Sequence, residues 1–185
     1  MTSLLLSSTP TQDSLPRRFS DFDTLGDALD YAATGARGLN FHDPRGQLSH
    51  AYTYAELRQD AITTAYRLIA AGIKAGDRIA LIAETGPDFA ALFFGCIYAG
   101  AWPVPLPLPT SFGGRDAYVD QLAVQMKSAD PAILFYPTAI EAMACDAAKL
   151  CGTEAFSWES FRLRAAPDAE LPRATPNDKI GRAHV

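Results

Sequence analysis

Charge is sparse in this chain, and basic charge is the scarcer kind. Of 185 residues, 16 are Lys or Arg and 21 are Asp or Glu, for a net charge of −5. A nucleic-acid-binding face needs clustered Lys and Arg, so nucleic acid is not an expected partner. Long apolar runs are missing too. Spanning a bilayer takes about 20 consecutive apolar residues, and Phe89–Ala101 is shorter and holds Gly95 and Gly100, so no transmembrane segment is expected. The Leu4–Leu6 patch follows no basic residue, unlike a secretory signal. Cysteine is limited to Cys96, Cys145 and Cys151, an odd count. The Cys145/Cys151 spacing with no nearby His is poor zinc chemistry. The three read as reduced thiols of a cytoplasmic protein. No G-x-x-x-x-G-K-[ST] or G-x-G-x-x-G phosphate loop occurs.

What is present is an alternation of short apolar runs with longer amphipathic ones. Residues 1–20, with Pro10 and Pro16, read as a disordered lead-in. Thr24 is an N-cap candidate with Asp27 three residues on, and Leu25, Leu29 and Ala32 form one helical face that stops at Gly35. Residues 38–54 read as a β-hairpin turning at Asp43-Pro44-Arg45-Gly46. Thr53 and Glu56 make a full capping box ahead of a helix with Leu57, Ala61, Ala65, Leu68 and Ile69 on one side.

Arg78–Ala83 is a buried-strand pattern, followed by a helix from Pro87 to Ala99 with Pro in its first turn. Trp102–Pro105 is the next strand. Pro103, Pro105, Pro107 and Pro109 then alternate and predict a stiff extended connector. A helix over Arg115–Ala129, a strand at Ile133–Tyr136, a helix over Thr138–Leu150 and a strand at Glu154–Ser157 complete the pattern. Strands alternating with helices predict βαβ units and an α/β fold with a mostly parallel sheet.

Few residues invite chemistry. Gly113-Gly114-Arg115 opens a helix, where anions can bind, but it reads equally as a flexible entry with a solvated Arg. Ala83–Asp88 follows a strand at the edge where α/β sheets take ligands. Capping by Thr85 or Gly86, with Asp88 favoured by the helix dipole, explains it as well. His42 and His50 flank the hairpin turn near Asp43 with no nucleophile. Phe89, Phe93, Phe94, Tyr98 and Trp102 suit a core or the wall of a fatty-acid tunnel. No catalytic, cofactor-binding or metal-ligating residue is assigned.

The segments "TYAEL", "AGIKAGDRIAL", "FFGCIYAGAWPVPLPLP" and "ADPAILF" resemble the start of the large N-terminal domain of adenylate-forming enzymes. "GC-x-YAG" and "PLPTSFGGRDAY" are most similar to fatty acyl-AMP ligases. The resemblance covers roughly residues 20–178. It implies a protein that joins a fatty acid to ATP, with Mg2+, as acyl-adenylate and pyrophosphate, and passes the acyl group to an acyl carrier protein. The family's phosphate loop, adenine site and catalytic lysine have no counterpart here. No cofactor is therefore expected on these residues, and the 185-residue chain is expected to be inactive. An acyl-CoA synthetase, a peptide-synthetase adenylation domain and a non-catalytic fatty-acid or partner-binding module remain alternatives.

The division expected is a lead-in over 1–20, an incomplete AMP-binding α/β part over 21–178, and a non-native tail over 179–185. Ile180–Val185 matches one reading frame of a common sequencing adapter, which makes Lys179–Val185 a read-through product on this reading. A genomic read across codon 178 is expected to continue into a Ser/Thr/Gly-rich loop. A genomic stop after Val185 would refute that origin.

Overall fold

The computed structural model describes residues 15–16, 18–19, 21–109 and 114–175. Most of the lead-in, Gly113 and the 179–185 tail lie outside the described residues.

Local chemistry starts the elements where the residues predict. Thr24 caps α1 (Leu25–Ala32) by accepting from Asp27 N at 3.1 Å, and its hydroxyl donates to Asp27 Oδ2 at 2.7 Å. Leu29 is buried, but Leu25 is exposed; the small Gly26 is buried instead, against the Tyr98 ring. The antiparallel hairpin β1 (Gly38–His42) and β2 (Leu48–Thr53) turns at Asp43, whose Oδ1 accepts from Arg45 N and Gln47 N at 2.9 and 2.8 Å. Gly46, at φ 77°, supplies the left-handed residue this turn needs. Both halves of the Thr53/Glu56 capping box form at the start of α2 (Tyr54–Ala70).

Beyond the hairpin, β3 (Arg78–Ile82), α3 (Pro87–Tyr98), β4 (Trp102–Leu106), α4 (Arg115–Ala129), β5 (Ile133–Tyr136), α5 (Glu141–Cys151), β6 (Glu154–Ser157) and α6 (Trp158–Arg162) follow. The four strands form a parallel sheet in the order β4-β3-β5-β6. Side chains alternate across it. Ala80, Ile82, Leu134 and Tyr136 pack with Val119, Leu122 and Met126 of α4 and Ala144 and Ala148 of α5. Ile79, Leu81, Ile133 and Phe135 pack with Leu68 of α2, Leu92 and Cys96 of α3, and Trp158 and Phe161 of α6. The α/β class and mostly parallel sheet are as the sequence predicts.

α3 lies on one face, and α4 and α5 on the other. Right-handed crossovers produce this arrangement when the chain steps from β3 outward to β4 and then back past β3 to β5. The strand order therefore reverses between β3 and β5. α2 and α3 approach closely at Gly95, where a Cβ would sit 2.7 Å from Thr64 Cγ2 and 3.2 Å from the Ala61 carbonyl. No helix among the described residues is long and apolar enough to cross a membrane.

The strand expected over Trp102–Pro105 forms as β4 and holds Pro103 and Pro105, so the stiff connector begins after it. Two expectations change. Thr138–Ile140 is a 3-10 turn, and the helix proper begins at Glu141. α6 was not expected; Ser157 caps it by accepting from Ser160 N at 3.2 Å.

The sheet centre carries the fold. Phe135 is fully buried and meets Phe161 edge-on at 4.6 Å. Phe135→Ala is expected to cost about 3–5 kcal/mol, read as a lowered urea midpoint, whereas Val124→Ala on the exposed face of α4 is expected to stay within about 0.5 kcal/mol.

Candidate functional site

In an open α/β sheet the ligand crevice lies at the carboxyl ends of the strands, where the strand order reverses. Here that is the gap between the β3 exit, Ala83–Gly86, and the β5 exit, Pro137–Thr138. Ala83 N extends the ladder by donating to Leu106 O at 2.8 Å, and Glu84 N turns back to Ile82 O at 2.8 Å. Gly86 is the N-cap of α3 in extended conformation, with no side-chain cap, and Pro87 opens the helix. Of the two capping residues considered, Gly86 holds the position and Thr85 does not.

α6 straps this gap. Arg162 Nη1 donates to Asp88 Oδ1 at 3.2 Å, and Thr138 Oγ1 donates to Glu159 Oε2 at 2.7 Å. Asp88 therefore serves both the N-terminal dipole of α3 and an ion pair. Burial pushes the Glu159 carboxyl up, but hydrogen bonds from Thr138 and the backbone outweigh it and hold it below the ordinary carboxylate range. These four polar side chains are thus engaged with one another in pairs.

Beside the strap, a cavity of about 370 Å³ opens between the hairpin, α2, α3 and α6. His50, Tyr52, Asp60, Arg67, Asp88 and Trp158 are among its lining. Tyr52 OH donates to Asp60 Oδ2 at 2.7 Å. Burial, then the neighbouring Asp60, pushes the Tyr52 phenol far above its ordinary range. Arg67 Nε donates to Arg164 O at 2.9 Å, and burial lowers the guanidinium's pKa. Trp158 is 5% exposed, and its Nε1 has no hydrogen-bond partner among the described residues.

A second cavity, of about 590 Å³, lies between α1, the end of α3 and residues 172–175. Three of its four carboxylates are already used. Asp21 pairs with Arg18 at 2.8 Å, and Asp27 accepts from Thr24. Asp30 accepts from both Arg58 Nε and Tyr98 OH at 2.6 Å.

The residues considered from sequence are not brought together. Arg115 is ion-paired with Asp116 at 3.3 Å and, more closely, with Asp146, so it is not a free anion anchor. Asp43 is spent on the hairpin turn. His50 packs its ring against Tyr52 and Phe41, at 5.5 and 6.5 Å. Phe89 stacks with Phe93 and Trp158, Phe93 with Phe94, and Tyr98 ties α3 to Asp30. These aromatics pack against one another and against neighbouring elements. Cys96 is buried, its thiol pushed up by burial, and no cysteine among the described residues is in a disulfide. No group of three His, Cys, Asp or Glu side chains among the described residues is placed to hold a metal.

The strap residues Trp158, Glu159 and Arg162 were missed from sequence, and the Ser157-x-x-Ser160 spacing is the one local signal for their helix. Chemically, the arrangement is a polar latch and a small mixed-polarity pocket.

Residues 38–178 match the family described as "AMP-binding enzyme". A protein of Caulobacter vibrioides (strain NA1000 / CB15N), named "Putative acyl-CoA synthetase", is 44% identical over 170 residues, which is 92% of this chain and 30% of that protein. A solved structure from work on fatty acyl-adenylate ligases of E. coli and L. pneumophila is similar, with a TM-score of 0.84 at 38% identity, covering 88% of this chain and 30% of that one. The McyG A-PCP structure with phenylalanyl-adenylate shares the fold, with a TM-score of 0.71 at 22% identity over 90% of this chain and 30% of its own. The chain spans about 30% of the length of these proteins.

The buried phenols make a pH prediction. Burial pushes Tyr118 up to about 12, and Tyr52 and Tyr98 are also raised. A phenol whose folded pKa exceeds its unfolded one keeps its full contribution below about pH 10 and loses it as pH rises through the folded value. Stability is expected to fall between about pH 10 and 12. Tyr52→Phe is expected to remove about one proton's worth of that slope in urea titrations; an unchanged slope would show that Tyr52 ionises normally.

Proposed function

The chain belongs to the AMP-binding enzyme family, and on that premise we propose that it is scaffold from the large domain of a fatty acid:AMP ligase. In the whole protein, a fatty-acid carboxylate oxygen attacks the α-phosphorus of ATP, and pyrophosphate leaves. The phosphopantetheine thiol of an acyl carrier protein then attacks the acyl carbon, giving up its proton and forming a thioester, and AMP leaves. The observation that carries the reading is the likeness to a fatty acyl-adenylate ligase at 38% identity over 88% of this chain. The "GC-x-YAG" and "PLPTSFGGRDAY" segments support the same choice. Reduced thiols support a cytoplasmic setting.

The described residues do not fit ATP or Mg2+. Phosphoryl and adenylyl chemistry needs pre-placed donors and cations around the phosphates. Here the helix-entry Arg115 is neutralised by two carboxylates, and the α3 N-terminus carries the ion-paired Asp88. We therefore assign no catalytic, nucleotide-binding or metal-binding residue. The role of these residues is to build and brace a parallel sheet.

A second reading, transfer to coenzyme A, is favoured by the name of the Caulobacter relative. Acceptor competition separates the two. With the longer enzyme, acyl transfer is expected to a holo acyl carrier protein and not to free coenzyme A; efficient acyl-CoA formation would reverse the choice. The purified 185-residue chain is expected to give no fatty-acid-dependent ATP–pyrophosphate exchange. Robust exchange by it would sink the scaffold reading.

A further inference from the structure

The cavity beside the strap holds donors that the protein itself does not use. Two arginines and two aspartates are among its lining. Arg162 is ion-paired with Asp88 at 3.2 Å, and Asp60 accepts from Tyr52 at 2.7 Å. Arg67 is left over. Its Nε donates to Arg164 O at 2.9 Å, which orients the guanidinium, but no ion pair among the described residues joins it. Burial lowers its pKa, with the nearby Asp60 a lesser and opposing influence. A partly desolvated cation thus lines the cavity without a bonded counter-charge.

A second unused donor is independent of the first. Trp158 also lines the cavity, is buried, and its Nε1 has no hydrogen-bond partner among the described residues. A buried indole N–H ordinarily has one. The ring is fixed by its neighbours: Phe89 stacks on it at 6.2 Å between centroids, and it packs into the core with Leu81 and Phe135. An unpaired buried donor costs stability, and an acceptor brought by a ligand would recover that cost.

We propose that this cavity seats a small organic acid with a compact apolar or aromatic body, its carboxylate held by the Arg67 guanidinium and the Trp158 indole N–H. A carboxylate matches the forked donor face of a guanidinium and takes charge-assisted bonds from it. Leu92 and Phe161 supply apolar wall for the rest of the molecule. A cavity of about 370 Å³ is near the lower end of small-ligand sites. It suits an acid of benzoate size and is too small for a nucleoside triphosphate or a long acyl chain. Such binding requires no turnover and is independent of the ligase reading.

Benzoate titrated into the 185-residue chain, followed by the indole N–H signals in proton–nitrogen NMR spectra, tests this. The chain has two tryptophans, and the Trp158 signal is the one lost in Trp158→Phe. It is expected to shift saturably, with a Kd of about 1 mM or tighter, while the Trp102 signal stays in place. Benzamide, alike in shape but uncharged, is expected to bind at least about tenfold more weakly. Trp158→Phe and Arg67→Gln are each expected to weaken benzoate binding about tenfold. Without benzoate, Trp158→Phe is expected to leave the urea midpoint unchanged or raised, because it removes an unpaired buried donor. A lowered midpoint with unchanged benzoate affinity would mark a purely structural N–H and overturn the proposal. A Trp158 signal indifferent to benzoate, benzamide binding as tightly as benzoate, or unchanged affinity in either variant would also overturn it. Should a variant fail to fold, the comparison of benzoate with benzamide on the unaltered chain still decides.

Discussion

Burial of β3 and β5 on both faces is the constraint from which the rest of this architecture follows. Ile79 to Ile82 and Ile133 to Tyr136 are all buried. A strand with no solvent face must have a layer of helices above and below it, and backbone partners on both sides. The chain meets the first demand by placing α2, α3 and α6 on one face and α4 and α5 on the other. It meets the second by inserting β3 between β4 and β5, and β5 between β3 and β6. The reversal of strand order between β3 and β5 is a consequence of that arrangement, and so is the position of the carboxyl-edge crevice.

Polar groups then determine what the crevice is. Arg162 with Asp88, and Thr138 with Glu159, join α6 to the exits of β3 and β5. Charge-assisted bonds of this kind are directional and help to hold one geometry, although at exposed sites such an ion pair adds little stability. The Asp30–Arg58–Tyr98 network does a similar job at the other end of α3, tying three helices through one carboxylate. Polar chemistry among the described residues is thus largely directed inward, at the protein's own elements.

The alternating prolines show how one local feature can carry two meanings. As a sequence pattern they describe a stiff extended connector, and Pro107 and Pro109 follow the strand as such. Pro103 and Pro105 have the same backbone preference but lie in a sheet, where the missing N–H matters more than the stiffness. Which meaning applies depends on which way the nitrogen points, and that is a property of the ladder.

Local chemistry in the residues themselves was enough to determine most elements, and the resemblance of a few segments pointed to the family. Thr24 and Thr53 announce their caps, Asp43 to Gly46 announce the turn, and the periods of two and 3.6 separate strands from helices, because each of these is settled within a few neighbouring residues. The candidate site was not legible in this way. Asp88 and Arg162 are 74 residues apart, Tyr98 and Asp30 are 68 apart, and no local pattern records such pairings. α6 escaped notice because its five residues are too few for a helical period to show. Tertiary structure alone decided that Arg115 is spent on carboxylates, that Leu25 faces water while Gly26 is covered, and that Arg67 and Trp158 line one cavity. The reason is the same in each case: these properties depend on what lies across a gap in space, whereas sequence chemistry reaches only along the chain.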